Sequence, residues 1–273
     1  MTANSRPSSA LLVSDEEAPD ISNLVIEDNT PVDNVYSEKQ QRLLVEPLYA
    51  SWRPVDAEDG HPRAFAAMSN VGVFAKTSEP PLVPDALLSM DVSISPTLRE
   101  KKHRTYFMWE YGKPPDVVIE VVSNNEGDEL GKRRRGYARM RVQWYVVWDP
   151  HNHLGQGELN VFRLAGDLYI REPRAWFETF GIGLTPWEGP YEDANERWLR
   201  WHDAGGTLIA TGAESARTAE GRASAAEGRA SAAEGRASAA EGRASAAESR
   251  AEALAARLRA LGIDPDADAG STP

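Results

Sequence analysis

Short apolar runs recur at residues 71–75, 82–88, 117–122, 144–148, 159–164 and 168–170, mostly punctuated by Pro, Gly, Asn or Asp, a pattern that predicts β-strands. Ahead of them, Ser37 and Gln40 have the spacing of a capping box, and Leu43, Leu44, Leu48 and Tyr49 follow at helical intervals. A first helix is therefore expected near 37–50. Between the third and fourth runs, residues 128–141 carry Leu130, Tyr137 and Met140 among a thick band of Arg and Lys, which predicts an amphipathic helix with a basic face. Helix, strands, helix, strands is the outline of an α/β or α+β domain around a mixed sheet.

The hydrophobic pattern ends before the C-terminus. From Glu220 to Arg250 the unit Ala-Glu-Gly-Arg-Ala-Ser-Ala recurs every seven residues, with Glu220, Glu227, Glu234, Glu241 and Glu248 in register. The period is that of a coiled coil, but the apolar positions are Ala, and an interior Gly costs about 1 kcal/mol relative to Ala. Leu254, Leu258 and Leu261 form a better stripe that stops at Gly262, a C-cap residue before Pro265. Two readings stand: a long helix that zips weakly with a copy of itself, or a solvated low-complexity tail. The expected organisation is a disordered acidic tail over 1–34, a domain over 35–212, a heptad-repeat helix or coiled coil over 213–262 and a disordered end over 263–273.

Composition narrows the function. The chain has 273 residues, enough for one core-bearing domain with tails. It contains no cysteine, which excludes disulfides, thiolate zinc sites and a cysteine nucleophile and suits the cytoplasm. Residues 1–30 lack a basic segment followed by an apolar block, and no stretch approaches the roughly 18 apolar residues of a membrane span, so neither export nor insertion is expected. The net charge of -12 argues against a nucleic-acid partner until its distribution is considered. Between Arg99 and Arg141 there are 11 Lys or Arg against 7 Asp or Glu, whereas the first 30 residues hold six acids and only Arg6. The centre of the chain is basic.

The strand at 117–122 is apolar on both faces except at Glu120. A charge in such a place must be protonated, paired, metal-bound or exposed at a break in the packing. Asp85 lies in another apolar run, 35 residues earlier. Two carboxylates on adjacent strands suit a hard cation such as Mg²⁺ or Mn²⁺, which keeps waters and accepts phosphate oxygens as further ligands. Lys132, on the helix after the Glu120 strand, is placed to return over the carboxylates, with Arg133, Arg134 and Arg135 beside it for flanking phosphates. The competing readings are a structural ion pair for Glu120 and a solvated face for the basic cluster. Asp116, Asp128 and Tyr137 are candidates to support the metal ligands from outside.

Other candidates are weaker. His151 and His153 have metal-ligand spacing but lie in a polar turn without an acidic neighbour. His103, with Lys101 and Lys102, forms a short basic run suited to phosphate or to solvent. Trp187, Trp198 and Trp201 are expected to cover the core rather than stack on bases. No glycine-rich phosphate loop is present, so no nucleotide cofactor is expected.

Asp85, Glu120 in Asp-Val-Val-Ile-Glu-Val-Val-Ser, Asp128-Xaa-Xaa-Xaa-Lys132, Tyr137 and Trp144-Tyr-Val-Val-Trp-Asp-Pro150 together resemble the Uma2 family of restriction endonucleases, a branch of the PD-(D/E)XK nucleases. Gly181-Ile-Gly-Leu-Thr-Pro-Trp-Glu-Gly189, Trp198-Leu-Arg-Trp201 and the Ala/Glu/Arg-rich tail extend the resemblance over about residues 37–260. It implies a restriction-endonuclease-like sheet flanked by helices, with Asp85 and Glu120 as metal ligands. It also implies Lys132 as the catalytic lysine, because the position two after Glu120 is Val122. Trp144 stands where relatives commonly carry Glu. The activity implied is Mg²⁺-dependent hydrolysis of DNA. Lys101, Lys102 and Arg133–Arg135 are the candidates to hold its backbone, and a homodimer is the simplest way to cut both strands. The rival is a catalytically silent nuclease fold that binds DNA or organises an assembly.

Overall fold

The computed structural model describes residues 19–26, 34–56, 59–123, 129–262 and 265. Of the expected tails over 1–34 and 263–273, only residues 19–26, 34 and 265 are among them. The chain divides into two compact units, one up to Ser215 and one from Ala216 onward.

The first unit opens with α1 (Val35–Ser51). Its cap is Asn34, whose side-chain oxygen accepts the Ser37 N–H at 2.9 Å. The helix thus starts earlier than the Ser37–Gln40 pattern predicted, because the preceding extended residue already satisfies an orphan N–H. Ser37 is buried, and its hydroxyl has no hydrogen-bond partner among the described residues.

The main sheet has six strands in the order β1-β3-β5-β6-β7-β8. In chain order the unit continues with β1 (Phe65–Ser69), β2 (Val73–Phe74), β3 (Ala86–Met90), β4 (Tyr106–Phe107), α2 (Met108–Tyr111), β5 (Val117–Val121), α3 (Arg134–Arg139), β6 (Trp144–Trp148), β7 (Leu159–Ala165) and β8 (Leu168–Glu172). All neighbouring pairs are antiparallel except β5 with β6, so the sheet is mixed. A parallel pair requires a long crossover, and the segment carrying α3 supplies it. β2 and β4 form a separate parallel pair.

A second, antiparallel sheet comprises β9 (Trp176–Phe177), β10 (Ile182–Tyr191) and β11 (Ala194–His202). Val117, Ile119 and Val121 of β5 face Leu44, Leu48, Phe177, Leu184 and Trp201, which belong to α1 and the second sheet. Val118 and Val122 face Tyr137, Met140 and Val142, around α3. Burying each such aliphatic side chain contributes roughly 1.5–3 kcal/mol, which is why β5 sits at the centre. By the two-residue alternation of a strand, Glu120 shares the α3 face.

α1 reaches the second sheet with Gln40, which donates to the Leu199 carbonyl at 2.9 Å and accepts the Leu199 N–H at 2.8 Å. Trp198 and Trp201 are buried, their indole N–H groups donating to Gly189 O and Leu44 O. They cover the core and are closed to stacking on bases. The hairpin between β10 and β11 turns through Glu192 and Asp193, both at positive φ, the conformation of a two-residue turn that matches strand twist. Lys39 and Arg42 of α1 hold the Glu192 carboxylate, the former at 2.8 Å.

α4 (Gly212–Ala260) is one helix of 49 residues with no buried residue, and it contains every heptad unit. Among the described residues no helix is long and apolar enough to cross a membrane.

Candidate metal and catalytic centre

β3 and β5 run antiparallel with Ala86 opposite Ile119, so the next step of the register sets Asp85 opposite Glu120. Both oxygens of Asp85 are held: Oδ1 accepts from Gln41 Nε2 and Oδ2 from the Val121 backbone N–H, each at 2.7 Å. The carboxylate thus completes the edge of the ladder where β3 begins. Gln41 follows Gln40 directly, so consecutive residues of α1 grip the second sheet and the candidate ligand.

Glu120 is 2 % exposed. Arg133 Nη1 donates to both of its oxygens, at 2.9 and 2.8 Å, and the Tyr137 hydroxyl donates to Oε1 at 2.7 Å. Burial pushes the Glu120 carboxyl up to about 8; the Arg133 charge opposes this, Asp85 adds to it, and the bonds from Tyr137 and Arg133 oppose it. Burial works against the Arg133 guanidinium, but the Glu120 charge overrides it and holds Arg133 above its ordinary value. The Tyr137 hydroxyl is driven well up by burial and then by the Glu120 charge. The burial cost falls harder on Glu120 because the Arg133 side chain keeps 42 % of its surface in solvent.

Arg133, rather than Lys132, is the basic side chain that touches Glu120. Residues Glu129–Arg133 form a π-helical turn that runs into α3. Arg133 and Tyr137 are four apart and share one helix face, the one against Glu120. Lys132 is exposed, and no ion pair or hydrogen bond reaches it among the described residues. Arg133 as the partner of Glu120 was not singled out from its neighbours by sequence, since four consecutive basic residues carry no mark of helical phase. Gln41 was missed too, although two glutamines adjoining Leu43 and Leu44 were its visible sign.

The remaining candidates separate. Tyr137 joins the centre. Asp116 does not: it lies four residues from Glu120, about 13 Å along the strand, and accepts from Lys113 Nζ at 2.5 Å and Met90 N at 2.8 Å. Its expected supporting role at the metal ligands is therefore corrected to a structural one at the far end of β5. Asp128 lies outside the described residues. Arg134 packs its guanidinium over the Phe162 ring, 5.1 Å from the centroid, and Arg135 is exposed. Lys101 donates to Ser22 O at 2.9 Å and Lys102 lies 3.6 Å from Glu100, both on the single turn at Lys101–His103. Trp144 points to the face opposite Glu120, edge-on to Phe177, so its difference from relatives falls away from the carboxylates. His151 and His153 are exposed, and no cluster of three metal-ligating side chains occurs among the described residues.

Two carboxylates from adjacent strands, one buried and destabilised by the other's charge, fit a hard divalent cation that takes one or two protein carboxylates and completes its shell with water. They do not fit a closed zinc site, which needs four ligands.

A mixed sheet with helices packed on both faces and a carboxylate pair at the mouth of two central strands is the plan of a restriction-endonuclease-like domain. Residues 18–178, more than half of the chain, match the family described as "Uma2: Putative restriction endonuclease", and the chain belongs to that family. The match ends within the turn after β9, so the β10–β11 hairpin and α4 lie beyond it, short of the 37–260 span of the resemblance. Among curated proteins, none matches the chain.

Proposed function

We propose that this protein is a metal-dependent endonuclease that hydrolyses DNA phosphodiester bonds. The observation that carries the reading is the pair Asp85 and Glu120 at facing positions of β3 and β5, where like charges call for a cation between them. Mg²⁺ or Mn²⁺ bound by these carboxylates would activate water and neutralise charge on the scissile phosphate.

The chain's own residues prepare that centre. Gln41 and the Val121 N–H fix the orientation of Asp85, and Tyr137 fixes Glu120. Lys132 is assigned to the phosphate or the attacking water, from a solvent-facing position open to substrate. Asp128, four residues before it in sequence, is assigned to support the metal ligands from outside. Arg134, Arg135, Lys101 and Lys102 supply positive charge for the flanking backbone. Two copies, associating through the heptads of α4, would cut both strands of a duplex in the cytoplasm.

One observation favours a second reading, a silent DNA-binding fold: Arg133 already satisfies both Glu120 oxygens. Calorimetry with Mg²⁺ or Mn²⁺ on wild type and Glu120→Gln separates the two. Binding that vanishes in the variant, followed by cleavage of duplex DNA, supports the enzyme; no binding in either supports the silent fold. Comparing duplex DNA, single-stranded DNA and RNA as substrates identifies the polymer.

A further inference from the structure

Beside the carboxylates, on the same face of the main sheet, lies a cavity of 340 Å³ bordered by Arg134, Gln156, Asn160, Phe162, Tyr169 and Arg171. Its place follows from the register: Glu120 stands opposite Val147, and Val147 opposite Asn160. Two inter-strand steps separate Glu120 from Asn160, about 10 Å at ordinary strand spacing. Arg134 directly follows Arg133, so adjacent residues of one helix serve the carboxylate centre and the cavity.

The lining has a specific chemistry. Arg171 is aimed by its own neighbours, donating to Asn160 Oδ1 at 2.7 Å and to Gln156 O at 2.9 Å, and Asn160 is 1 % exposed. Arg134 stacks on Phe162 and has no ion pair or hydrogen bond among the described residues. No carboxylate borders the cavity, and neither guanidinium is salt-bridged among the described residues. Two guanidiniums without a salt bridge among the described residues, next to aromatic rings and side-chain amides, match an anion that carries a flat polar ring. The volume lies at the lower end of the roughly 300–1,000 Å³ typical of small-molecule sites, far above what one water needs.

We propose that this cavity binds one nucleotide, its phosphate on Arg134 and Arg171 and its base against Phe162 and Tyr169. Guanidinium forks suit phosphate oxygens, and aromatic faces accept any base, so the pocket holds a strand without reading its sequence. Resting on the nuclease reading, this makes the cavity the seat of a nucleotide close to the scissile one in the same strand. A free mononucleotide has the same chemistry and is the other source of such a ligand.

The test is titration of the full chain, in chelator, with a labelled single-stranded oligothymidylate and separately with a nucleoside 5′-monophosphate. Chelator removes cleavage, so the measurement stands apart from the nuclease reading, which Mg²⁺-dependent cutting tests on its own. Expected are binding by wild type, a loss of about ten-fold or more in Arg134→Gln and in Arg171→Gln, and a salt dependence shallower by about one counterion in each. Arg171 is exposed, so Arg171→Gln is the variant that keeps the fold, checked by an unchanged thermal transition. Arginine-dependent binding of the oligonucleotide alone identifies the strand as the source; equal binding of the monophosphate identifies a free nucleotide. Oligonucleotide and monophosphate binding untouched by both substitutions, or no binding by wild type, overturns the proposal.

Discussion

Glu120 is held in a place that disfavours its charge, and this has a measurable cost. Its folded carboxyl titrates at about 8, above the ordinary 4.5, so the folded protein binds more protons than the unfolded chain between those values. Stability from this group is full below about 4.5 and is lost as pH rises through about 8. In chelator, the denaturation midpoint of wild type should fall across that window, and Glu120→Gln should flatten the fall. A wild-type profile that rises there would contradict the burial argument. Lys132 makes the opposite case. Its exposed side chain contributes little to the fold, so Lys132→Gln should change stability by no more than about 0.5 kcal/mol while abolishing DNA cleavage. Arg133→Gln, which strips the buried carboxylate of its partner, should destabilise the metal-free protein measurably more than Lys132→Gln does in the same urea titration. The carboxylates themselves were legible in the sequence, because charge inside an apolar run announces itself. The choice between Lys132 and Arg133 was not, because both lie in a π-helical turn and a run of basic residues carries no mark of its phase.

At the scale of elements, α1 does more than fill a face of the sheet. Gln40 supplies the Leu199 backbone with both a donor and an acceptor in a fully buried place. Gln40→Leu leaves those two groups unpaired, at about 1–3 kcal/mol each, and urea denaturation should show a loss of that order. Gln41→Leu should instead spare most stability and weaken Mn²⁺ binding, since what it frees is the orientation of Asp85. The strands β5, β6 and β7 were readable as apolar runs because each is buried over most of its length. β10 and β11 were not, because they carry Pro186, Glu188, Arg197 and Arg200 among their tryptophans, and only the opposing hairpin arm gives those residues a reason to be extended. β1 escaped notice for lack of signal: Phe-Ala-Ala-Met-Ser has neither alternation nor β-branched residues.

At the scale of the whole molecule, the chain joins a densely packed unit to a helix that buries nothing of its own. Tertiary contacts fix the first, whereas local propensity alone must hold the second, and Gly221, Gly228, Gly235 and Gly242 work against it. A Cβ at any of these four meets open space, so replacing all four with Ala should raise far-ultraviolet helicity on heating, by about 1 kcal/mol of helix stability per site. A melting curve unchanged by the four substitutions would mean that the helix is held by something other than its own backbone. What the repeat does for function was not legible, because alanine and paired charges give no chemistry to read.

The sameness of the heptads has one more consequence. Two such helices lying side by side would find equally good matches at every seven-residue offset, about 10.5 Å apart, so they would have a vernier rather than a lock. Losing or gaining one unit leaves the face intact and changes only the reach. In-frame slippage across this stretch of the gene would add or remove whole units without touching the sheet or its carboxylates.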